Sequence, residues 1–517
     1  SPTASRVLPN AGREDSPMPL PDTLVFLHGW SVTSTDTYGG LPERLAAEYA
    51  ARGQALQLRD IHLGRYVSFQ DEVRMEDLAR ALQAAVEREL GALIQAGRRF
   101  AVITHSTGGP LAREWWWRYY AQPRGALPCP MSHLVMLAPA NFGSALAQLG
   151  KSRLSRIKTF AQGVEPGAGV LDWLEQGSPE AWALNEAWCR GRFGLPGGED
   201  GRGVYPFVLT GQSIDRKLYD HLNPYTGESG SDGVVRVASA NLNAGLLVLE
   251  QGRSGDLQRL EPVGGLKRAP RTAFRLIAGA SHSGKALGIL RSVAATAEGQ
   301  GAETVQAVLR CLDVDTSAAY DALCDAFERE SERVEAAERV EIEAVPVLPD
   351  RVHLHDRSSL VIFRLQDSEG YALKDYDLVL TGAQDSPNLL PAGFLRDRQR
   401  NSRHPGTLSF LFDHDLMTGC AGIPDPRRAG VELRAAQPGV DRLGLKLRPR
   451  PEQGFVRYAQ AAIQAEPTLL RQVLRPNQTT LIELRLKRLV DRANLEFGPL
   501  GGAQSFKGVK PTGEAVP

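Results

Sequence analysis

The chain has 517 residues, 23% of them charged, which is more than a single hydrophobic core usually organises, so we expect two or more domains. Basic and acidic residues number 60 each, and this neutral balance gives no electrostatic reason to expect a nucleic-acid partner. The five cysteines are widely spaced and form no Cys-x-x-Cys pair, which argues against a zinc cluster or a redox motif and favours buried, reduced thiols.

The first segment, residues 1–20, is rich in proline and serine and is predicted to be flexible. It lacks the charged region followed by an apolar run that marks a signal peptide. No stretch reaches the roughly 18 consecutive apolar residues that a membrane-spanning helix needs. We therefore expect a chain made in the cytoplasm, with later secretion or delivery to the periplasm of a target cell left open.

Residues 21–300 alternate short apolar runs with helical patterns, which predicts a parallel sheet covered by helices on both faces. The clearest helical pattern is Gln70–Gln95. Residues 141–201 interrupt the alternation with leucines, tryptophans and glycines, and we interpret them as a helical cap or lid; an ordinary crossover is the alternative. The predicted strands are Thr23–His28, Ala55–Ile61, Phe100–Thr104, His133–Ala138, Tyr205–Thr210 and Ala273–Ala278.

Residues 301–344 are acidic and rich in alanine, and we predict a solvated helical linker there. The composition then changes, and residues 345–500 are predicted to form a mostly-β, sandwich-like domain with one helix near Gly454–Ala465. Residues 501–517 are predicted to be a flexible tail. The strands expected in the second domain are Ser359–Leu365, Leu378–Thr381, Thr407–Phe412, Gly430–Ala435, Leu443–Leu447 and Thr479–Leu486.

One segment has the context that a catalytic serine requires. An apolar strand from Phe100 runs into His-Ser106-Thr-Gly-Gly, and a helical pattern begins at Leu111. A nucleophile elbow is a sharp strand-to-helix turn that exposes the serine and needs small neighbours, here Gly108 and Gly109. Thr104 stands where the usual Gly-x-Ser-x-Gly pattern has its first glycine, which is compatible with an elbow if the adjacent strands leave room.

Residues Thr104–Gly109 resemble the nucleophile elbow of α/β-hydrolase serine lipases. Leu24–Trp30 resembles their first core strand and oxyanion loop, Leu137–Ser144 a small-residue segment after a strand, and Gly230–Val235 their acid-bearing turn. The resemblance covers about residues 20–295. It implies an α/β-hydrolase fold, with a helical cap insertion at 141–201, followed by the C-terminal mostly-β domain.

In this fold the catalytic residues follow the chain order serine, acid, histidine. We predict His282 as the base, because it lies in a small-residue loop directly after the last predicted strand; His133 and His221 are the other histidines in range. We predict Asp232 as the acid, because it lies in a glycine-rich turn with room for a strand and helix before His282. Its rivals are the three aspartates Asp215, Asp220 and Asp256.

The oxyanion needs two backbone N–H donors, which we assign to Thr107, directly after the nucleophile, and to Trp30 in the first loop. The expected chemistry needs neither a metal nor an organic cofactor. Two pairs of aspartates are weighed as calcium ligands, with solvated loop carboxylates as the favoured interpretation: Asp313 with Asp315, and Asp413 with Asp415.

The substrate is predicted to be a lipid or phospholipid ester, cleaved by a lipase or phospholipase A type reaction through an acyl-enzyme on Ser106. Apolar residues of the predicted cap favour a lipid. The aromatic run Trp115–Tyr120 is interpreted as core, with transient contact to a membrane surface as the alternative. The arrangement also resembles antibacterial phospholipase effectors of the type VI secretion system, which implies a secretion or immunity protein as partner. An acyltransferase with the same triad and a catalytically silent binding protein are the alternative functions.

Overall fold

A computed structural model describes residues 20–27, 35–61, 71–121, 127–148, 167–194, 196, 203–215 and 228–517 of the chain. The strands are β1 Thr23–Leu27, β2 Gln57–Ile61, β3 Phe100–His105, β4 Met131–Leu137, β5 Tyr205–Thr210, β6 Gly245–Gln251, β7 Leu260–Pro262, β8 Lys267–Arg268, β9 Ala273–Leu276, β10 Val340–Glu343, β11 Arg351–Leu354, β12 Ser358–Asp367, β13 Tyr376–Thr381, β14 Leu395–Arg400, β15 Thr407–Asp413, β16 Ile423–Pro424, β17 Glu432–Arg434, β18 Leu443–Pro449, β19 Val456–Arg457, β20 Ala461–Ala465, β21 Gln478–Leu486 and β22 Leu489–Val490.

The α-helices are α1 Leu41–Ala51, α2 Met75–Gln95, α3 Gly108–Trp116, α4 Ala168–Leu174, α5 Pro179–Cys189, α6 Val237–Ala240, α7 Ala302–Leu312, α8 Ser317–Glu338, α9 His414–Thr418 and α10 Pro467–Val473. A π-helical turn, Trp117–Ala121, extends α3. Short 3-10 helices lie at Thr35–Tyr38, Ala383–Asp385, Pro387–Leu389 and Arg492–Asn494.

The first sheet has the order β2-β1-β3-β4-β5-β9, and all of its strands are parallel. Its central strands are mostly apolar because both faces are covered: Leu134 and Met136 of β4 face one core cluster, while Val135 and Leu137 face the other. Helices α2, α3, α4 and α5 cover the first face, and α1, α7 and α8 cover the second. The prediction of an α/β-hydrolase sheet flanked by helices is confirmed.

The expectation of a solvated linker at 301–344 is wrong for its two helices. Val305 and Val308 of α7 and Tyr320 and Phe327 of α8 are buried in the second core cluster. Most acidic side chains of α8 are on its outer face, and its apolar positions recur at helical spacing against the sheet. The high charge of the segment therefore marks the surface of a core helix.

The described part of the predicted cap, which contains α4 and α5, also belongs to the hydrophobic core on the first face of the sheet. Trp173, Trp182 and Trp188 are all buried in the first cluster. Trp116 on the aromatic run packs edge-to-face against Trp188, which supports the core interpretation of that run. A mobile lid is therefore not supported by residues 168–189; residues 149–166 lie outside the described part.

The C-terminal region is β-rich, as predicted, but its main sheet recruits strands from earlier in the chain. This seven-stranded sheet runs β14-β15-β12-β21-β6-β7, with β8 also paired to β6. A smaller sheet, β13-β18-β20, faces it across a third apolar cluster, which makes a sandwich. Because β6, β7 and β8 belong to residues 245–268, the predicted boundary at 300 does not separate the two sheets. The domain limits themselves stay a prediction.

The catalytic region and the C-terminal region pack against each other through the larger sheet of the sandwich. Val361 and Phe363 of β12 face the sandwich interior, while Leu360 and Ile362 pack into the first cluster with the catalytic-sheet helices. One strand of the C-terminal region therefore contributes to both cores, and the larger sheet is covered on both faces.

Two C-terminal expectations are corrected. The range Gly454–Ala465, near which a helix was predicted, contains strands β19 and β20, because pairing of β20 with β18 outweighs the helix propensity of its alanines. Helix α10 begins at Pro467, where proline fits the first turn. The predicted loose tail returns to the body, where Thr512 and Gly513 donate backbone hydrogen bonds to Asp491.

The five cysteines are free. No helix within the described ranges is long and apolar enough to cross a membrane.

Candidate active site

Ser106 occupies a strained turn between β3 and α3. Its φ is +54°, a left-handed value that costs energy for a residue with a Cβ. Hydrogen bonds hold the turn, since Ser106 N donates to the Leu137 carbonyl at 3.0 Å and Ala140 N donates to the Ser106 carbonyl at 3.4 Å. A Cβ at Gly109 would lie 2.7 Å from Pro139 Cβ, which explains the need for glycine. Thr104 is buried where the first glycine is usual, so the neighbouring strands do leave room.

The structure brings the three predicted catalytic side chains together. Ser106 Oγ lies 3.1 Å from His282 Nε2, and His282 Nδ1 lies 2.9 Å from Asp232 Oδ2. Asp232 is 0% exposed and His282 is 5% exposed. With its proton on Nδ1, the imidazole donates a hydrogen bond to the carboxylate, and its Nε2 accepts a hydrogen bond from the serine hydroxyl. This is the arrangement that a general base requires.

The acid is fixed by its own loop. Asp232 Oδ1 accepts the backbone N–H groups of Val234, at 3.0 Å, and Val235, at 2.8 Å, which leaves Oδ2 for the imidazole. The Asp232 carbonyl accepts the N–H of His282 at 2.9 Å. Acid and base are therefore joined through both backbone and side chain, and a displacement of one displaces the other.

His105 is a supporting residue that sequence reasoning missed. Its Nε2 lies 2.9 Å from the His282 carbonyl, and the two rings are 4.9 Å apart. The sequence carries a signal, because His105 directly precedes Ser106, but the chain order serine, acid, histidine directs attention to histidines after the serine. The contact places a second imidazole beneath the loop that carries the base.

The rival residues have other surroundings. His133 is buried on β4, where its Nε2 lies 2.7 Å from the Val314 carbonyl, and burial lowers its pKa to about 4. Asp256 lies in the turn between β6 and β7 and caps the backbone of Gln258. Asp215 is buried, but the carboxylate that meets the imidazole is that of Asp232. The remaining two rivals, Asp220 and His221, lie outside the described residues.

Thr107, one of the two predicted oxyanion donors, lies immediately after Ser106 at the start of α3. The other, Trp30, lies outside the described residues. The first turn of a helix presents its backbone N–H groups toward the approaching chain end, which suits a developing negative charge. Thr107 is therefore in a suitable position to donate to the oxyanion. The site residues as a set remain a prediction.

A buried arginine supports the nucleophile helix from behind. Arg113 of α3 is fully buried and donates to Asn185 Oδ1 on α5 at 2.9 Å and to Asn141 Oδ1 at 3.3 Å. Its guanidinium also lies over the Trp188 ring, 5.5 Å from the centroid. Burial lowers the pKa of Arg113 to about 9. The cluster fixes the helix that follows Ser106 to the insertion.

One of the two aspartate pairs weighed as calcium ligands, Asp413 with Asp415, is engaged by arginines. Asp415 is buried and pairs with Arg357 at 2.7 Å, and Asp413 pairs with Arg396 at 2.7 Å while capping α9. The expectation that this pair is solvated is therefore wrong. Within the part of the chain that the structure describes, no group of three or more histidine, cysteine, aspartate or glutamate residues could hold a metal ion.

Comparison with known proteins places this geometry in context. No family model and no curated protein matches the chain. Two solved structures match it over nearly its whole length, both of phospholipase PlaB from Legionella pneumophila. One is 41% identical and covers 97% of this chain and 100% of that chain, with a TM-score of 0.82. The other, in complex with thio-NAD, is 40% identical and covers 96% and 100%, also with a TM-score of 0.82.

Proposed function

The chain belongs to the α/β-hydrolase lipase and phospholipase family that contains Legionella pneumophila PlaB, and we propose that it cleaves phospholipid acyl esters through an acyl-enzyme on Ser106. Membership of this family indicates that the chain is a lipid ester hydrolase. The observation that supports an acyl-enzyme on Ser106 is the chain of hydrogen bonds that joins Ser106, His282 and Asp232.

The first half-reaction forms the acyl-enzyme. His282 Nε2 takes the Ser106 proton while Oγ attacks the ester carbonyl, and the carbonyl oxygen becomes an oxyanion facing the N–H of Thr107. Asp232, whose Oδ1 is held by the loop, stabilises the imidazolium through Oδ2. The intermediate collapses when the imidazolium returns the proton to the leaving alcohol, a lysophospholipid in a phospholipase A type reaction.

The second half-reaction releases the acid. Water attacks the acyl carbonyl while His282 again accepts a proton, and the fatty acid leaves as Ser106 is reprotonated. An acyltransferase would pass the acyl group to another alcohol at this step. A catalytically silent binding protein would not form the acyl-enzyme, so the alternatives differ in a measurable product.

The decisive experiment compares Ser106→Ala with the parent protein. We expect hydrolysis of phospholipid vesicles, followed by mass spectrometry of the products, to fall by at least about 10³-fold, and fluorophosphonate labelling to disappear. Ser254→Ala, a change in the exposed turn between β6 and β7, is the matched control and should keep both. Hydrolysis by a folded Ser106→Ala protein would refute the assignment, and acyl esters of an added alcohol in place of free fatty acid would favour the acyltransferase.

We place the substrate at a membrane surface, since phospholipids are presented to an enzyme as aggregates. Activity should then rise steeply above the concentration at which a short-chain phospholipid aggregates. The role of a type VI effector with an immunity partner gains no support from the comparisons and stays a prediction, to be tested by toxicity on delivery to a target periplasm.

A further inference from the structure

The loop that carries Asp232 is closed at its far end by Arg236. Ser231 and Arg236 form an antiparallel bridge, and Asp232 N donates to the Val235 carbonyl at 3.2 Å. Val237 N donates to the Gly230 carbonyl at 2.9 Å. The acid therefore lies in a tight turn whose geometry depends on where Arg236 is held.

The Arg236 side chain is held by two carboxylates in a site that water hardly reaches. It is 2% exposed, and it binds Glu228 through Nε at 2.7 Å and Nη2 at 2.9 Å. Nη2 also meets Asp397 Oδ2 at 2.6 Å. Burial works to lower the pKa of Arg236, but Glu228 and Asp397 outweigh it, and the pKa is raised. Loss of either carboxylate would leave a buried charge only partly compensated.

These two carboxylates come from different parts of the chain. Glu228 directly precedes the acid loop in the chain, whereas Asp397 lies on β14 in the C-terminal region. A register shift between Leu395 and Asp397 interrupts the pairing of β14 with β15 at this point. Such a bulge redirects a side chain, and here it accompanies the contact with Arg236.

Strand β14 is itself fixed against the catalytic region. Gln399 Nε2 donates to the Ala145 carbonyl at 3.1 Å, and Gln148 Nε2 donates to the Arg400 carbonyl at 2.9 Å. The Asp397 carboxylate therefore lies on a strand that is hydrogen-bonded to the catalytic region, while Glu228 directly precedes the acid loop itself.

We propose that Asp397 is a positioning residue for catalysis: through Arg236 it holds the Asp232 turn in the place where Oδ2 meets His282. The proposal rests on the proposed function, because it assigns Asp397 a part in the same reaction. A shift of about 1 Å in a catalytic group can cost on the order of 10²-fold in rate, so an anchor at this distance is enough to matter.

The test is Asp397→Asn, which keeps the size of the side chain and removes its charge. On a soluble short-chain ester, kcat should fall about 10-fold or more while KM stays within about twofold, since the change acts on the transition state. An imidazole that loses its carboxylate partner releases its proton at lower pH, so the acidic limb of the kcat/KM profile should move to lower pH. Asp397→Glu should recover part of kcat.

The matched control is Asp375→Asn, which breaks a C-terminal ion pair of similar length at the exposed surface, Arg450 Nη1 to Asp375 Oδ1 at 2.7 Å. Its kcat and pH profile should match the parent. Active sites are counted by fluorophosphonate titration, so that rates refer to folded enzyme. A normal kcat per labelled site in Asp397→Asn, or a lower kcat with an unmoved pH profile and no recovery by glutamate, would overturn the proposal. Failure of the proposed function would instead appear in the parent, as absent labelling.

Discussion

Close packing against Pro139 favours glycine at position 109, next to the strained elbow residue. Gly109→Ala would bring a Cβ to 2.7 Å from Pro139, next to a turn that already holds Ser106 at positive φ. We expect a loss of about 1–3 kcal/mol in the free energy of unfolding and a slower reaction with fluorophosphonate. Urea unfolding and labelling kinetics measure both.

Gly91→Ala is the matched control for that change. Gly91 lies within α2, and a Cβ there meets nothing within 4 Å. Because alanine is the better helix former, this variant should gain up to about 1 kcal/mol and label at the parent rate. Equal stability of the two variants would show that the elbow tolerates a Cβ and that the crowding is relieved by movement of Pro139.

The acid assignment is tested by paired amide substitutions. Asp232→Asn should lower kcat by on the order of 10²-fold or more, though less than Ser106→Ala, because the serine and base remain while the imidazole loses its orientation. Asp256→Asn should leave ester hydrolysis unchanged, since its carboxylate caps only the local turn. A larger loss from Asp256→Asn than from Asp232→Asn would refute the assignment of the acid.

The sequence predicted Ser106, Asp232 and His282 because chain order, small-residue loops and strand ends are local signals. It did not reveal Asp397, whose partner Arg236 is 161 positions away. A salt bridge of that kind depends on how two sheets dock, and neither residue has a pattern around it that indicates the other.

At the scale of elements, the central strands of the parallel sheet were predictable because they are short, mostly apolar runs buried on both faces. Strand β6 was missed although Leu246, Leu247 and Leu249 are equally apolar. Its neighbour β21 is more than two hundred residues away, so no turn or alternation nearby marked it as part of a sheet. The helix at 454–465 was wrongly predicted because local alanines favour a helix and only the ladder with β18 makes it a strand.

Helix α8 carries a titratable group where it meets the C-terminal region. Glu335 accepts a hydrogen bond from Asn477 Nδ2 at 2.5 Å, and burial raises its pKa from 4.5 to about 7. The folded state therefore holds a proton that the unfolded state releases between these pH values. The stability contributed by the protonated group is complete below pH 4.5 and is lost as the pH rises through about 7.

Glu335→Gln should remove this dependence, because the amide is neutral at every pH and its oxygen still accepts from Asn477. The difference in the free energy of unfolding between the variant and the parent should be more favourable to the variant at pH 8 than at pH 5, by on the order of 2 kcal/mol. Urea unfolding at the two pH values measures the difference. A gain that is the same at both would mean that the carboxyl group is already ionised at pH 5.

At the scale of the whole molecule, the sharing of β6 changes what a truncation should do. A chain ending at Glu343 would lose β21, which pairs with β6 over six residue pairs, and would expose the apolar face that Leu481 and Leu360 cover. We expect this truncated chain to be insoluble or to lack a cooperative unfolding transition. A soluble, cooperatively folded product that hydrolyses a short ester at the parent rate would show that the catalytic region folds and works without the C-terminal strands.

The pairing of β6 with β21 also sets the order in which the protein can be completed during synthesis. The strand that follows the acid loop leaves the ribosome about 230 residues before its neighbour, which at 5–20 residues per second is a delay of roughly 10–45 s. Ser106, Asp232 and Arg236 are all made before Asp397, so the growing chain contains the reactive serine but not the anchor of its acid. We expect a nascent chain that is inert toward lipid until its last strands are added, so that a lipid-degrading activity arises only in a finished molecule.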